Sequence, residues 1–133
     1  MSQAQGGFGD HMSARVLIID DDAPTREGLK QILAIAGYTP IAAASFPEGL
    51  HALEAARPDL LIVDVRLGAY NGLQLVIAAE GRIPAIVLTG YADPVLEDDA
   101  RHEGAEYLVK PVDPPALLAL MREMLAGHRV PRA

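Results

Sequence analysis

Cysteine and tryptophan are both absent from the 133 residues. Disulfides and thiolate metal sites are therefore excluded, and a reducing compartment is compatible with the chain. Aromatic residues are scarce, at 5 %. There are only two lysines, Lys30 and Lys110. No apolar stretch approaches the roughly 20 residues of a membrane-spanning helix, and the N-terminus lacks the basic and apolar regions of a signal peptide. A net charge of −7 argues against a nucleic-acid surface within this segment. The expectation is a soluble cytoplasmic protein with no membrane contact.

What is present is aliphatic. Half of the chain is hydrophobic, so one ordinary domain with a real core is expected and disorder is not. Residues 1–13 are polar and glycine-rich and contain His11-Met12, a dipeptide common at cloning junctions. They read as an expression-tag remnant or disordered leader, with the natural start at Met12. Residues 14–126 read as the domain. Residues 127–133 read as a polar tail or a linker to an output domain.

Within the domain, strand-like and helix-like segments alternate five times. Val16–Ile19, Thr39–Ala42, Leu60–Val63, Ala85–Leu88 and Tyr107–Val109 read as strands. Between them, Leu29, Ile32, Leu33 and Ala36 recur at helical spacing after Pro24, with Gly37 as the residue after the helix. Ser45-Phe46-Pro47-Glu48 has the form of a capping box. Leu73, Leu75, Val76 and Ala79 suggest a short third helix. Asp93-Pro94 opens a fourth, and Asp113-Pro114 a fifth. The fourth is short, acidic and poor in apolar anchors, which predicts a frayed or shifted helix; its acids read as a solvated face. Near-continuous aliphatic strands alternating with helices imply a parallel sheet covered on both faces. The predicted fold is an α/β three-layer sandwich.

Four of these strands end in chemistry. The first runs into Asp20, Asp21 and Asp22, and the third into Asp64. The fourth ends in Thr89 and the fifth in Lys110. In a parallel α/β sheet these ends share the edge where ligands bind. Neighbouring strands lie about 5 Å apart, so Asp20, Asp21 and Asp64 would repel one another unless protonated or bound to a cation. Mg²⁺, a hard cation that prefers oxygen ligands, relieves that repulsion. Asp22 is expected to cap the first helix instead. A carboxylate beside Mg²⁺ can attack phosphorus to give an aspartyl phosphate. Lys110 would then contact a phosphoryl oxygen or the carboxylate, and Thr89 could donate a hydrogen bond to the phosphoryl group.

VLIIDDD, DLLIVDVRLGAYNGLQL, IVLTGYAD and YLVKPVDP, in this order and spacing, resemble the receiver domain of bacterial two-component response regulators, of the chemotaxis-regulator type. The resemblance covers about Ala14 to Ala126. It implies a five-stranded parallel sheet with flavodoxin-like order 2-1-3-4-5. It implies Asp64 as phosphoacceptor, and Asp20, Asp21, Asp64 and the Arg66 backbone carbonyl around Mg²⁺, with Asp21 the direct ligand and Asp20 acting through water. Thr89 becomes the switch hydroxyl, Tyr107 the switch aromatic, and Lys110 the lysine that family carries, followed by a cis bond to Pro111. The implied partner is a sensor histidine kinase or a histidine phosphotransfer protein, docking on the first helix near Arg26, Gly28 and Lys30. The output face is the fourth helix, fifth strand and fifth helix, with Leu118 in it, and homodimerisation there is an option. Such a domain assists its own phosphorylation and slow dephosphorylation without being a conventional enzyme. One departure stands out. The family often has proline where Gly68 stands, which predicts a more mobile acceptor loop.

Other readings fit less well. A haloacid-dehalogenase-like phosphatase needs a second carboxylate two residues after its nucleophile, where this chain has Arg66. A flavodoxin-like cofactor binder needs a hydroxyl- and glycine-rich loop after the first strand, where this chain has three aspartates. A degenerate receiver that only binds partners would lack some of the key residues, and all are present.

Overall fold

The computed structural model describes residues 14–127. The leader assigned to residues 1–13 lies outside the described residues, as does the tail beyond Gly127. The elements run β1 (Arg15–Ile19), α1 (Ala23–Ile35), β2 (Thr39–Ala43), α2 (Phe46–Ala56), β3 (Leu60–Asp64), β4 (Arg66–Leu67), β5 (Tyr70–Asn71), α3 (Leu73–Ala78), β6 (Ala85–Thr89), α4 (Pro94–His102), β7 (Glu106–Val109) and α5 (Pro114–Leu125). The main sheet is parallel, in the order β2-β1-β3-β6-β7. Counting its own strands alone, this is the expected order 2-1-3-4-5. The two-residue strands β4 and β5 form a separate antiparallel hairpin.

Strand periodicity divides the core in two. Successive side chains point to opposite faces. Leu17, Ile19, Leu61, Val63, Ala85 and Val87 therefore meet one set of helices, at Leu53 of α2, Leu75 and Val76 of α3 and Ala100 of α4. Val16, Ile18, Leu60, Ile62, Ile86 and Leu88 meet the other, at Leu29 and Leu33 of α1 and Leu117, Met121 and Met124 of α5. Both faces are covered, so both residue parities are apolar, and the strands read as unbroken aliphatic runs. Leu118 of α5, expected in the output face, is partly buried against the second cluster.

Caps set the helix starts. Asp22, Ser45, Asp93 and Asp113 each accept from a backbone N–H of the first turn. At α2 the returning arm of the capping box reaches one residue further than expected. Ser45 Oγ accepts from Glu48 N at 3.2 Å, while Glu48 Oε1 accepts from Ala44 N at 2.8 Å rather than from Ser45. The far end of α2 is closed by Arg15, which donates from Nε to Ala56 O and from Nη2 to Arg57 O. That bond ties the helix to β1 and supports Arg57 in its left-handed conformation, φ 50°. The expected fraying or shift of α4 is not found. Asp93 accepts from both Val95 N and Leu96 N, and Arg101 pairs with Glu97 one turn away at 2.6 Å. Local bonds thus compensate for the few apolar anchors.

Substitutions within α1 separate packing from propensity. Leu33 is fully buried, whereas Ile35 is 86 % exposed. Leu33→Ala is expected to cost about 2–5 kcal/mol in urea unfolding, and Ile35→Ala no more than about 0.5 kcal/mol. Equal costs would contradict the two-core arrangement.

Candidate functional site

Strand register delivers the site. Ile19 pairs with Val63, so Asp20 and Asp64 emerge at the same level on adjacent strands. Asp64 pairs with Leu88, and Thr89 with Val109, which sets Thr89 and then Lys110 along the same edge. Asp20, Asp64 and Thr89 are the buried polar residues among those described, and Asp21 points to solvent.

Lys110 joins the two buried acids. Its Nζ lies 3.0 Å from Asp20 Oδ2 and 3.4 Å from Asp64 Oδ1. The other Asp20 oxygen accepts from Asp22 N at 2.9 Å. The Asp20 carbonyl accepts from Arg26 Nη1 at 2.8 Å. Asp22 caps α1 as expected, and its bonds from the Thr25 side chain and backbone hold its carboxyl below the ordinary range. The Lys110-Pro111 bond is cis.

Burial pushes the Asp64 carboxyl above its ordinary pKa, and the neighbouring Asp20 charge pushes the same way; Lys110 opposes both. For Lys110, burial alone favours the neutral amine. The hydrogen bond and charge of Asp20, then those of Asp64, outweigh it and hold the ammonium above the usual lysine range.

Asp20, Asp21 and Asp64 each offer a carboxylate oxygen, and these atoms all lie within 4.8 Å of one another. Ligands of a single Mg²⁺ sit about 3–4 Å apart, so this spread fits a shared ion after a small side-chain movement or through one intervening water. The donors are all hard oxygens, as that ion prefers. Both Asp20 oxygens already have partners, whereas Asp21 is exposed.

Thr89 Oγ1 donates to the Tyr91 carbonyl at 3.2 Å. Tyr107 is half-buried on β7, and its hydroxyl accepts from Asp93 N at 2.8 Å and lies 3.5 Å from the same Tyr91 carbonyl. The β6–α4 loop is thus held by both groups assigned to switching. The loop after Asp64 turns at Gly68, whose φ of +62° proline cannot adopt. With Gly68-Ala69 as its two-residue turn, the segment closes into the β4–β5 hairpin. Gly72 is required for a different reason: a Cβ there would stand 2.1 Å from the Asp64 carbonyl oxygen.

The sequence model of the response regulator receiver domain matches residues 16–122. The chain belongs to that family. Among curated receivers, it is 33 % identical over 119 residues to the DNA-binding response regulator MtrA of Mycobacterium tuberculosis, covering 87 % of this chain and 52 % of that one. It is 36 % identical over 119 residues to the response regulator MprA of the same organism, covering 86 % and 51 %. The chain therefore spans about half the length of the curated relatives it matches. Among solved receivers, the CheY-like response regulator receiver domain protein of Methanospirillum hungatei superposes with a TM-score of 0.81 at 34 % identity, over 86 % of this chain and 95 % of that one.

Of the side chains the sequence assigned to the site, Asp20, Asp21, Asp64 and Lys110 come together at this edge and Thr89 follows on the next strand, whereas Tyr107 lies on β7 opposite Val87 and meets the Tyr91 carbonyl that Thr89 also bonds. Three features escaped the sequence. Arg26 was read as a docking residue, yet it also braces the Asp20 carbonyl. Tyr91 was not singled out, although Arg66 Nη2 donates to its hydroxyl at 2.7 Å. The β4–β5 hairpin falls where the sequence predicts only a mobile acceptor loop. Only Gly68 signalled it, being the residue that a two-residue turn of this kind needs at its first position.

The raised Asp64 pKa has a stability consequence in metal-free protein. An unfolded aspartate ionises near about 3.9, and the folded one at higher pH. Asp64 therefore contributes full stability below the unfolded value, and that contribution is lost as pH rises through the folded value. Asp64→Asn is expected to raise the urea midpoint at pH 7 in the presence of a chelator, with the gain shrinking toward zero in strong acid. A parent more stable than the variant at pH 7 would contradict the reading.

Proposed function

We propose that this receiver takes a phosphoryl group onto Asp64 from a phosphohistidine of a sensor kinase or phosphotransfer protein. The observation that carries the reading is Lys110 Nζ, which reaches both Asp20 and Asp64 while an Asp21 carboxylate oxygen lies within 4.8 Å of one from each of these acids. An Asp64 oxygen attacks phosphorus and the P–N bond to the donor imidazole breaks. The bonding electrons leave with that nitrogen, which is then protonated. Lys110 balances charge on the acceptor and on the incoming phosphoryl oxygens. Asp20, Asp21, Asp64 and the Arg66 carbonyl are the groups that would hold Mg²⁺. The exposed Asp21 suits direct ligation, and Asp20, both of whose oxygens are engaged, suits contact through water. When bound, the ion neutralises phosphoryl oxygens and favours in-line geometry. Slow return follows when water attacks phosphorus and inorganic phosphate leaves, restoring the carboxylate.

The signal follows from a change of hydrogen-bond partner. A phosphoryl group on Asp64 adds strong acceptor oxygens beside Thr89. If Thr89 Oγ1 leaves the Tyr91 carbonyl for one of them, the β6–α4 loop loses one of its two fastenings. Tyr107, held by the same loop, is then free to re-seat. The face that changes is α4, β7 and α5, where Val95 and Val109 are already exposed. That face is available for a homodimer contact. The donor side is α1. A cavity of about 380 Å³ lies beside Lys110, lined by Pro24, Gly28, Leu29, Ile32, Pro111 and Val112. Its apolar wall, with Arg26 and Lys30 on the same helix, suits a helical donor protein.

Intact mass after incubation with Mg²⁺ and acetyl phosphate tests the reading. The parent should gain one phosphoryl group that base removes. Asp64→Asn should gain none, and Lys110→Ala should gain it at least about tenfold more slowly. Equal modification of parent and Asp64→Asn would refute the assignment.

A further inference from the structure

We infer that Tyr70 and Phe46 are positioning residues: their stacked rings hold the hairpin that presents the Arg66 carbonyl, so that Mg²⁺ affinity depends on the stack. This rests on the reading of Asp20, Asp21, Asp64 and the Arg66 carbonyl as the metal site.

The backbone of Arg66 faces the acceptor. Gly72 N donates to Val65 O at 2.7 Å, so a ladder hydrogen bond falls on the Val65–Gly72 pair. Hydrogen-bonded and non-hydrogen-bonded pairs alternate along an antiparallel ladder. Arg66, opposite Asn71, therefore stands in a non-hydrogen-bonded pair, and its N–H and carbonyl both point away from the partner strand. Burial is the main cause of the raised Asp64 pKa, and the Arg66 N–H, bonded to that carboxyl, is among the groups that oppose it. The Arg66 carbonyl lies on the same side of the strand as this N–H and is turned toward the same edge.

The hairpin has only two cross-strand pairs, Arg66–Asn71 and Leu67–Tyr70, and so small a ladder is marginal alone. Its tip is held from outside. Leu67 and Tyr70 stand directly opposite, so their side chains share a face. Leu67 is buried in the core shared with α2 and α3. Tyr70 stacks on Phe46 in the first turn of α2, with ring centroids 4.4 Å apart and planes 13° from parallel. Phe46 packs against the same core. Phe46 follows β2, Tyr70 follows β3, and β1 lies between those two strands. The stack thus bridges the end of the strand that carries Asp20 and Asp21. Asp20 N also donates to Ala43 O at 3.2 Å, which ties that end to the loop leading into Phe46.

Apparent affinity is the intrinsic affinity scaled by the fraction of chains with every ligand in place. An aromatic stack contributes beyond the area it buries. Its loss lets the hairpin tip swing and takes the Arg66 carbonyl out of line with the acids. Asp20 and Asp64 are set by strand register instead and stay where they are. Losing the stack therefore weakens Mg²⁺ binding without abolishing it, and enough Mg²⁺ restores full phosphoryl uptake.

The test compares parent, Tyr70→Ala, Tyr70→Phe, Phe46→Leu and the Tyr70→Ala/Phe46→Leu double variant. Calorimetric titration gives the Mg²⁺ affinity of each unphosphorylated protein, and intact mass follows uptake from acetyl phosphate at graded Mg²⁺. Tyr70→Ala and Phe46→Leu should each lower the affinity about threefold or more. The half-saturating Mg²⁺ for uptake should rise by the same factor, with the rate at saturating Mg²⁺ unchanged. The double variant should bind no more weakly than the weaker single one, because both changes remove the same contact. Tyr70→Phe keeps the ring and should match the parent. A stack that only stabilises the fold would lower the thermal midpoint in chelator and leave Mg²⁺ affinity unchanged. That result, or a loss in Tyr70→Phe as large as in Tyr70→Ala, would overturn the inference while leaving the metal site intact. A parent that binds no Mg²⁺ would remove the metal site and the inference together.

Discussion

One ammonium group holds the functional edge together. Two carboxylates emerge at the same level on adjacent parallel strands, both largely out of water, where like charges repel strongly. Lys110 is the cation that makes this arrangement tolerable. It reaches Asp20 at 3.0 Å and Asp64 at 3.4 Å from the end of the outer strand β7. The remaining stress is visible in Asp64, whose carboxyl holds its proton more tightly than usual. An acidic edge of this kind, only partly neutralised, is primed for a further positive charge. The exposed Asp21 offers a third carboxylate oxygen within 4.8 Å of the other two.

The rest of the fold serves to bring these groups level. Two aliphatic cores lock the sheet in register, and the register sets Asp20 opposite Asp64 on adjacent strands and Thr89 on the strand beyond Asp64. A slip of one residue would reverse every side chain on a strand. Because both faces are apolar and packed, no such slip is tolerated. The helix caps then fix how each loop leaves its strand. Asp22 and Asp93, the caps of α1 and α4, stand directly at the rim of the site.

Much of this was legible in the sequence because it depends on local rules. Strand ends, capping aspartates and proline at the first helical turn are written in a few adjacent residues. The acidic cluster followed from the strand ends, with the strand order that makes them neighbours implied by the family resemblance. What stayed hidden depends on contacts between residues distant in the chain. Arg26 bracing the Asp20 carbonyl, Arg66 crossing to Tyr91, and Tyr70 stacking on Phe46 have no local signature. The error over α4 has the same root in reverse. Counting apolar anchors neglected the doubly bonded Asp93 cap and the Glu97–Arg101 pair, which are polar and local. Gly68 shows how a departure from a family pattern gains meaning in three dimensions, where its positive φ forms the turn of the β4–β5 hairpin.

The central claim is that Asp20, Asp21 and Asp64 share one divalent ion. Calorimetric titration of Mg²⁺ into the unphosphorylated protein tests it most directly. One ion should bind per chain, with affinity lowered at least about tenfold by Asp21→Asn, a change at an exposed side chain that leaves the fold intact. Binding of equal strength in the parent and the Asp21→Asn variant would contradict it.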